Sequence, residues 1–137
     1  MQTQASASNA KPKTANGTQL AAYTLNLSAD RSVDLGTSAP AQSNFYTDDN
    51  DGDIKYWAYQ GYISTVSSAE QIVLLASADA PTYAACKAST VFEGNVSTDK
   101  GTDFCVLKSK LMIGISVIGN NSQDGYLTLG VTVWQNE

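Results

Sequence analysis

Leu111-Met112-Ile113-Gly114-Ile115-Ser116-Val117 is followed by Gly119-Asn120-Asn121-Ser122-Gln123-Asp124-Gly125 and then by Leu127-Thr128-Leu129-Gly130-Val131-Thr132-Val133-Trp134. Leu111, Ile113, Ile115 and Val117 recur at every second position, and so do Leu127, Leu129, Val131 and Val133. Successive side chains of a strand point to opposite faces, so each run lines one face with apolar groups, and the Gly/Asn-rich stretch between them turns the chain back. An antiparallel hairpin with one buried face is predicted, and Trp134 reads as a plug at the end of the core.

The same period extends upstream. Tyr23, Leu25 and Leu27 alternate with Thr24, Asn26 and Ser28, and Ser32-Val33-Asp34-Leu35 is a second extended piece that ends at Gly36. Ile54 to Val66 is aromatic and β-prone with a break at Gly61, Ile72 to Leu75 is a short apolar run, and Pro81 forces a turn. No i, i+3, i+4 pattern is sustained, although Thr65 to Leu75 has room for a short helix. Strands at roughly ten-residue spacing predict an all-β protein, an antiparallel two-sheet sandwich or jelly roll. Residues 1–18 are small and polar around Lys11-Pro12-Lys13 and read as an arm, leaving residues 19–137 as the β-sandwich domain.

Composition narrows the chemistry. The 137 residues include two cysteines and no histidine, which removes nucleophile-histidine catalysis and Cys/His zinc sites. Cys86 and Cys105 both fall in strand-like stretches. A disulfide between them would restrict the unfolded chain by about 3 kcal/mol and imply an oxidising compartment; the alternative is two separately buried thiols. A net charge of −5 and scattered lysines make nucleic acid an unfavourable partner. No apolar run approaches the roughly 18 residues that span a bilayer, so no membrane insertion is expected. Met1 to Ser8 has neither the basic nor the apolar region of a signal peptide, so an exported form has lost its leader or leaves by another route.

Two segments are candidates for binding. Asp48, Asp49, Asp51 and Asp53 surround Gly52, and a hard cation such as Ca2+ takes about six to eight oxygens in a loop that a glycine lets turn tightly. The competing reading is an exposed, solvated Asp/Asn turn, since such side chains satisfy local backbone groups without a metal. Tyr56, Trp57, Tyr59 and Tyr62 follow at once. On a strand, Trp57 and Tyr59 would share a face suited to stacking on a sugar ring, whereas the bland reading places all four in the core or in cross-strand pairs. Catalysis has little to rest on: pairs such as Asp51 with Asp53 could do acid and base work, but both lie in what reads as an exposed loop.

The order Tyr23-Thr-Leu-Asn-Leu, Ser32-Val-Asp-Leu, Asp53-Ile-Lys-Tyr, Tyr83-Ala-Ala-Cys86, Gly101-Thr-Asp-Phe-Cys105-Val and Leu127-Thr-Leu-Gly-Val-Thr-Val-Trp134 resembles an extracellular β domain of bacteria. That domain occurs at the C-terminal ends of surface or secreted proteins, including the outer part of some membrane-bound serine/threonine kinases. The resemblance covers roughly residues 23–134 and implies a sandwich, a disulfide and an extracellular setting, without an activity. The function expected from the whole sequence is a non-enzymatic surface or structural module. It would take part in an extracellular or virion-like assembly, self-associating or joining a host assembly with its N-terminal arm on a neighbouring subunit. The second expectation is a calcium-dependent carbohydrate-binding module that uses the acidic loop and the aromatics on glycans.

Overall fold

The computed structural model describes residues 17–41, 45–47, 51–67, 70–75 and 81–136. Its elements, in chain order, begin with strands β1 (Thr18–Ser28), β2 (Ser32–Val33), β3 (Ile54–Trp57), β4 (Tyr62–Thr65) and β5 (Gln71–Leu74). Helix α1 (Tyr83–Ala88) follows, and then β6 (Phe92–Glu93), β7 (Asn95–Ser97), β8 (Asp103–Lys108), β9 (Leu111–Asn121) and β10 (Tyr126–Gln135). One sheet has the order β1-β10-β9-β8-β5-β6 and the other β2-β3-β4-β7. All pairings are antiparallel.

Period-two patterning decides which face of each strand is buried. Ile113, Ile115 and Val117 of β9 and Leu127, Leu129, Val131 and Val133 of β10 point at the smaller sheet, where they meet Val33, Ile54, Tyr56, Ile63 and Val96. The predicted hairpin therefore forms, with β9 and β10 running on to Asn121 and Tyr126. Only a turn at Ser122–Gly125 joins them, closed by Gly125 at φ +86°. β1 adds Leu25 and Leu27 to the same core from the far side of β10.

A second, smaller core lies on the opposite face of the larger sheet. Val73, Cys105, Met112 and Trp134 point outward there and are covered by Tyr83 and Cys86 of α1. Both faces of β8 are consequently buried at Phe104-Cys105-Val106. Trp134 plugs this outer core. Its indole fills the space over Gly114, where an added Cβ would sit 2.8 Å from the ring, so only glycine fits at that position. Tyr83 meets the Trp134 ring edge-on at 6.2 Å and lies against Gly17, whose φ of +60° sets the entry of the chain into β1.

Cys86 sits on helix α1, not on a strand. Thr82 caps the helix, its Oγ1 accepting the Ala85 N–H at 3.1 Å, and the helix docks because Tyr83 and Cys86 share its apolar side. In the stretch from Thr65 to Leu75 that had room for a short helix, Gln71–Leu74 is instead strand β5, held between β8 and β6 because Ile72 and Val73 face the inner and outer cores. The Cys86–Cys105 disulfide is formed, with a Cα–Cα distance of 5.9 Å, and it ties α1 to the middle of β8.

Replacing both cysteines by serine is expected to lower the unfolding free energy by about 3 kcal/mol, because the cross-link restricts the unfolded chain across a separation of 19 residues. Urea titration of the oxidised protein against the double variant measures this, and α1 should be the first segment to lose protection from hydrogen exchange. An unchanged midpoint would show that packing alone holds the helix.

Candidate functional site

Asp48 and Asp49 lie outside the described residues. Asp51 is exposed, and its carbonyl accepts the Ser32 hydroxyl at 2.6 Å. Gly52 has φ +89° and packs on Ser32 and Val33, so the turn requires glycine. Asp53 departs from the exposed loop expected for it. Its side chain is buried, and Oδ2 accepts the Leu35 N–H at 2.5 Å and the Lys108 ammonium at 2.7 Å. Lys108 also donates to the Leu35 carbonyl at 2.8 Å. A desolvated carboxylate needs such partners, and the result is a staple between the sheets: Lys108 ends β8 of the larger one, and Asp53 precedes β3 of the smaller. A cation bound by Asp53 would have to compete with this ammonium. Among the described residues no three His, Cys, Asp or Glu side chains lie close enough together to hold a metal ion.

Glu70, just before β5, joins this cluster and was not singled out in the sequence. Burial, then a hydrogen bond to Asp53 and the Asp53 charge, push its carboxyl up to about 8, against the opposing pull of Lys108. Its Oε2 is buried without a hydrogen-bond partner. Near neutral pH Glu70 therefore keeps its proton and shares it with Asp53, an arrangement two carboxylates can hold only while one is neutral. No local pattern marks this residue, because its partners lie 17 and 38 positions away in the chain.

The four aromatics divide. Tyr56 is in the core, and burial raises its hydroxyl above the usual range. Trp57 and Tyr62 form a cross-strand pair on the outer face of the smaller sheet, with centroids 6.4 Å apart. The indole is held from two sides: Nε1 donates to the Ser64 Oγ at 2.7 Å, and the Lys55 ammonium lies 3.9 Å from the ring centroid. Tyr59 does not share a strand face with Trp57. β3 ends at Trp57, the chain turns through Ala58 to Gly61, and the Tyr59 ring projects from that turn 96% exposed.

The edges of the two sheets differ sharply in length. β2 and β6 have two residues each and β7 has three, whereas β1 has eleven. Among the described residues β1 pairs only with β10, so its other side is an edge. Thr18 to Ser28 contains no charged residue and no proline, the features that ordinarily keep an edge from pairing. Its one irregularity is a bulge at Leu20, after which the register is regular from Ala21 to Ser28. Ala22, Thr24 and Asn26 point to solvent on the outer face.

What the fold and these sites define is an all-β sandwich with one disulfide, a proton-sharing staple between its sheets and a long uncharged edge. Comparison with protein-family models, with curated proteins and with solved structures gives no match. Among the described residues no helix is long and apolar enough to cross a membrane.

The staple makes stability depend on pH in a defined direction. The Glu70 carboxyl binds its proton more tightly in the fold, at about 8, than in the unfolded chain, at about 4.5. Its contribution is therefore complete below about pH 4.5, falls as the pH rises toward 8 and levels off above that. Glu70→Gln, which keeps a neutral hydrogen-bonding group, is expected to flatten this part of the profile and to be more stable than the parent at pH 9. Urea midpoints from pH 5 to 9 test it, and parallel profiles for the two proteins would remove the proton-sharing account.

Proposed function

We propose that the chain is a non-enzymatic surface module that associates with copies of itself in an extracellular or virion-like assembly, its N-terminal arm contacting a neighbouring subunit. The observation that carries this reading is β1: a long, uncharged strand edge that begins at Thr18, inside the 1–18 stretch read from the sequence as the arm, so that residues 1–16 are what precedes the described fold. Burying such an edge against another chain satisfies backbone groups otherwise left to water. The charge distribution supports it. Residues 1–16 hold two of the eight basic residues and none of the thirteen acids, so the remainder carries −7 and attracts the arm of a neighbour. The disulfide fits an oxidising compartment, as does the resemblance of the Tyr83 to Cys86 and Phe104-Cys105-Val106 segments to an extracellular bacterial domain.

A second reading, calcium-dependent carbohydrate binding, is favoured by the exposure of Tyr59 beside the Trp57–Tyr62 pair, since a flat ring held in water suits stacking on a neutral sugar. In that case Tyr59→Ala should weaken binding of neutral oligosaccharides about tenfold, the effect of roughly 1.4 kcal/mol, with an unchanged melting temperature. Isothermal titration with calcium and with chelator measures it, and absence of heat across a panel of neutral glycans sets this reading aside.

For the assembly reading, deletion of residues 1–16 leaves β1 and both cores intact, so the shortened protein should melt within a few degrees of the parent. The full chain should sediment and scatter light as a concentration-dependent oligomer that weakens on deletion and with salt from about 0.05 to 0.5 M, as screening requires. If both forms are monomeric, the carbohydrate reading takes its place; if they assemble equally well, the arm is a linker and the contact lies in the described domain.

A further inference from the structure

We infer that the partner of the β1 edge is β1 of a second copy, paired antiparallel about a two-fold axis through Thr24 so that the two larger sheets become one. This rests on the assembly reading and specifies its contact. The choice of occupant follows from three properties of the edge. First, a two-fold axis perpendicular to a sheet pairs each residue with its counterpart across one central residue, so core-facing positions meet core-facing positions, as a continuous sandwich requires. In the regular segment Ala21–Ser28 the central position is Thr24 or Leu25, and we assign Thr24, the outward-facing of the two. Thr24 then faces its own counterpart, Ala22 faces Asn26, and Tyr23 faces Leu25. The outer-face pairs are small or polar and the inner-face pairs apolar, with no charge opposed to a like charge.

Second, the side chains at this rim are incompletely covered by the chain itself. Ala21 and Tyr23 face the core but are only partly buried, and the Tyr23 hydroxyl reaches the Gly36 carbonyl at 3.0 Å. A second β1 brings another Tyr23 and Leu25 against them. Third, the pairing delivers the arm to an acidic end. Antiparallel about Thr24, Thr18 of one copy lies level with Asp30 of the other, where Asp30 and Asp124 are both exposed. Lys13 and Lys11 lie four and six residues before Gly17, a reach of about 13 to 20 Å in extended chain. One strand pair alone buries less than the roughly 1,000 Å² of a durable interface, so association through this edge is expected to be weak and concentration-dependent.

Thr24→Cys tests the geometry without disturbing the fold, because Thr24 is exposed and a cross-axis pair of Cα atoms falls about 4.5 to 5.5 Å apart. Under mild oxidation this variant should give a covalent dimer on non-reducing electrophoresis, while Ser122→Cys, exposed in the β9–β10 turn, should not. Thr24→Lys, which sets two ammonium groups face to face, should raise the dimer Kd at least about tenfold in sedimentation at low salt and leave the melting temperature of the monomer unchanged. An oligomeric parent whose Thr24→Cys form cross-links no better than Ser122→Cys, or whose association ignores Thr24→Lys, overturns the β1 contact and leaves the assembly reading standing. A parent that is monomeric at all concentrations overturns the assembly reading and this inference with it. Cross-linking that survives deletion of residues 1–16 supports the β1 contact while removing the role of the arm.

Discussion

Burial of one face of β9 and β10 is the constraint on which the remaining structure depends. Seven branched side chains from these two strands form the floor of the main core. At about 1.5 to 3 kcal/mol for each fully buried large aliphatic side chain, their removal from water is the largest single favourable contribution that can be attributed to one hairpin. The smaller sheet is needed because this face requires a cover. β1 and β8 flank the hairpin because their own alternating residues extend the same apolar surface in both directions.

Two polar or covalent devices then adjust a structure that hydrophobic burial has already established. The disulfide fastens a six-residue helix, too short to be stable alone, over Trp134 and Met112, and converts the central part of the larger sheet into a layer buried on both sides. The Asp53, Glu70 and Lys108 cluster connects the sheets near the opposite face. The Asp53 side chain in it is buried while that of Lys108 stays 29% exposed, and it leaves one carboxyl protonated near neutral pH.

The edges link the fold to association. Among the described residues the two sheets end on four strands, and three of these are two or three residues long. β1 is long because it runs the length of β10 to complete the core, and among the described residues no strand pairs with its other side. The alternation that buries Leu25 and Leu27 leaves Ala22, Thr24 and Asn26 outward, with nothing charged to discourage a partner.

Period-two alternation is a local property, so the sequence by itself determined the β9–β10 hairpin, the core face of β1, the two-sheet class and the break at Gly61. Cysteine and histidine content pointed to the disulfide, which joins the two cysteines as the residues suggested. Tertiary structure decided the rest, because the deciding partners are distant in the chain. Tyr83-Ala-Ala-Cys86 is too short to declare a helix and becomes one where Thr82 caps it and the outer face of the sheet receives it. Asp53 resembles its acidic neighbours in sequence, yet Leu35 and Lys108 draw it inside. Glu70 has no local signal, and its bound proton arises only where burial and the Asp53 carboxylate meet. Tyr59 and Trp57, two residues apart, part company because the strand ends between them, and where a strand ends depends on the neighbour it can no longer reach.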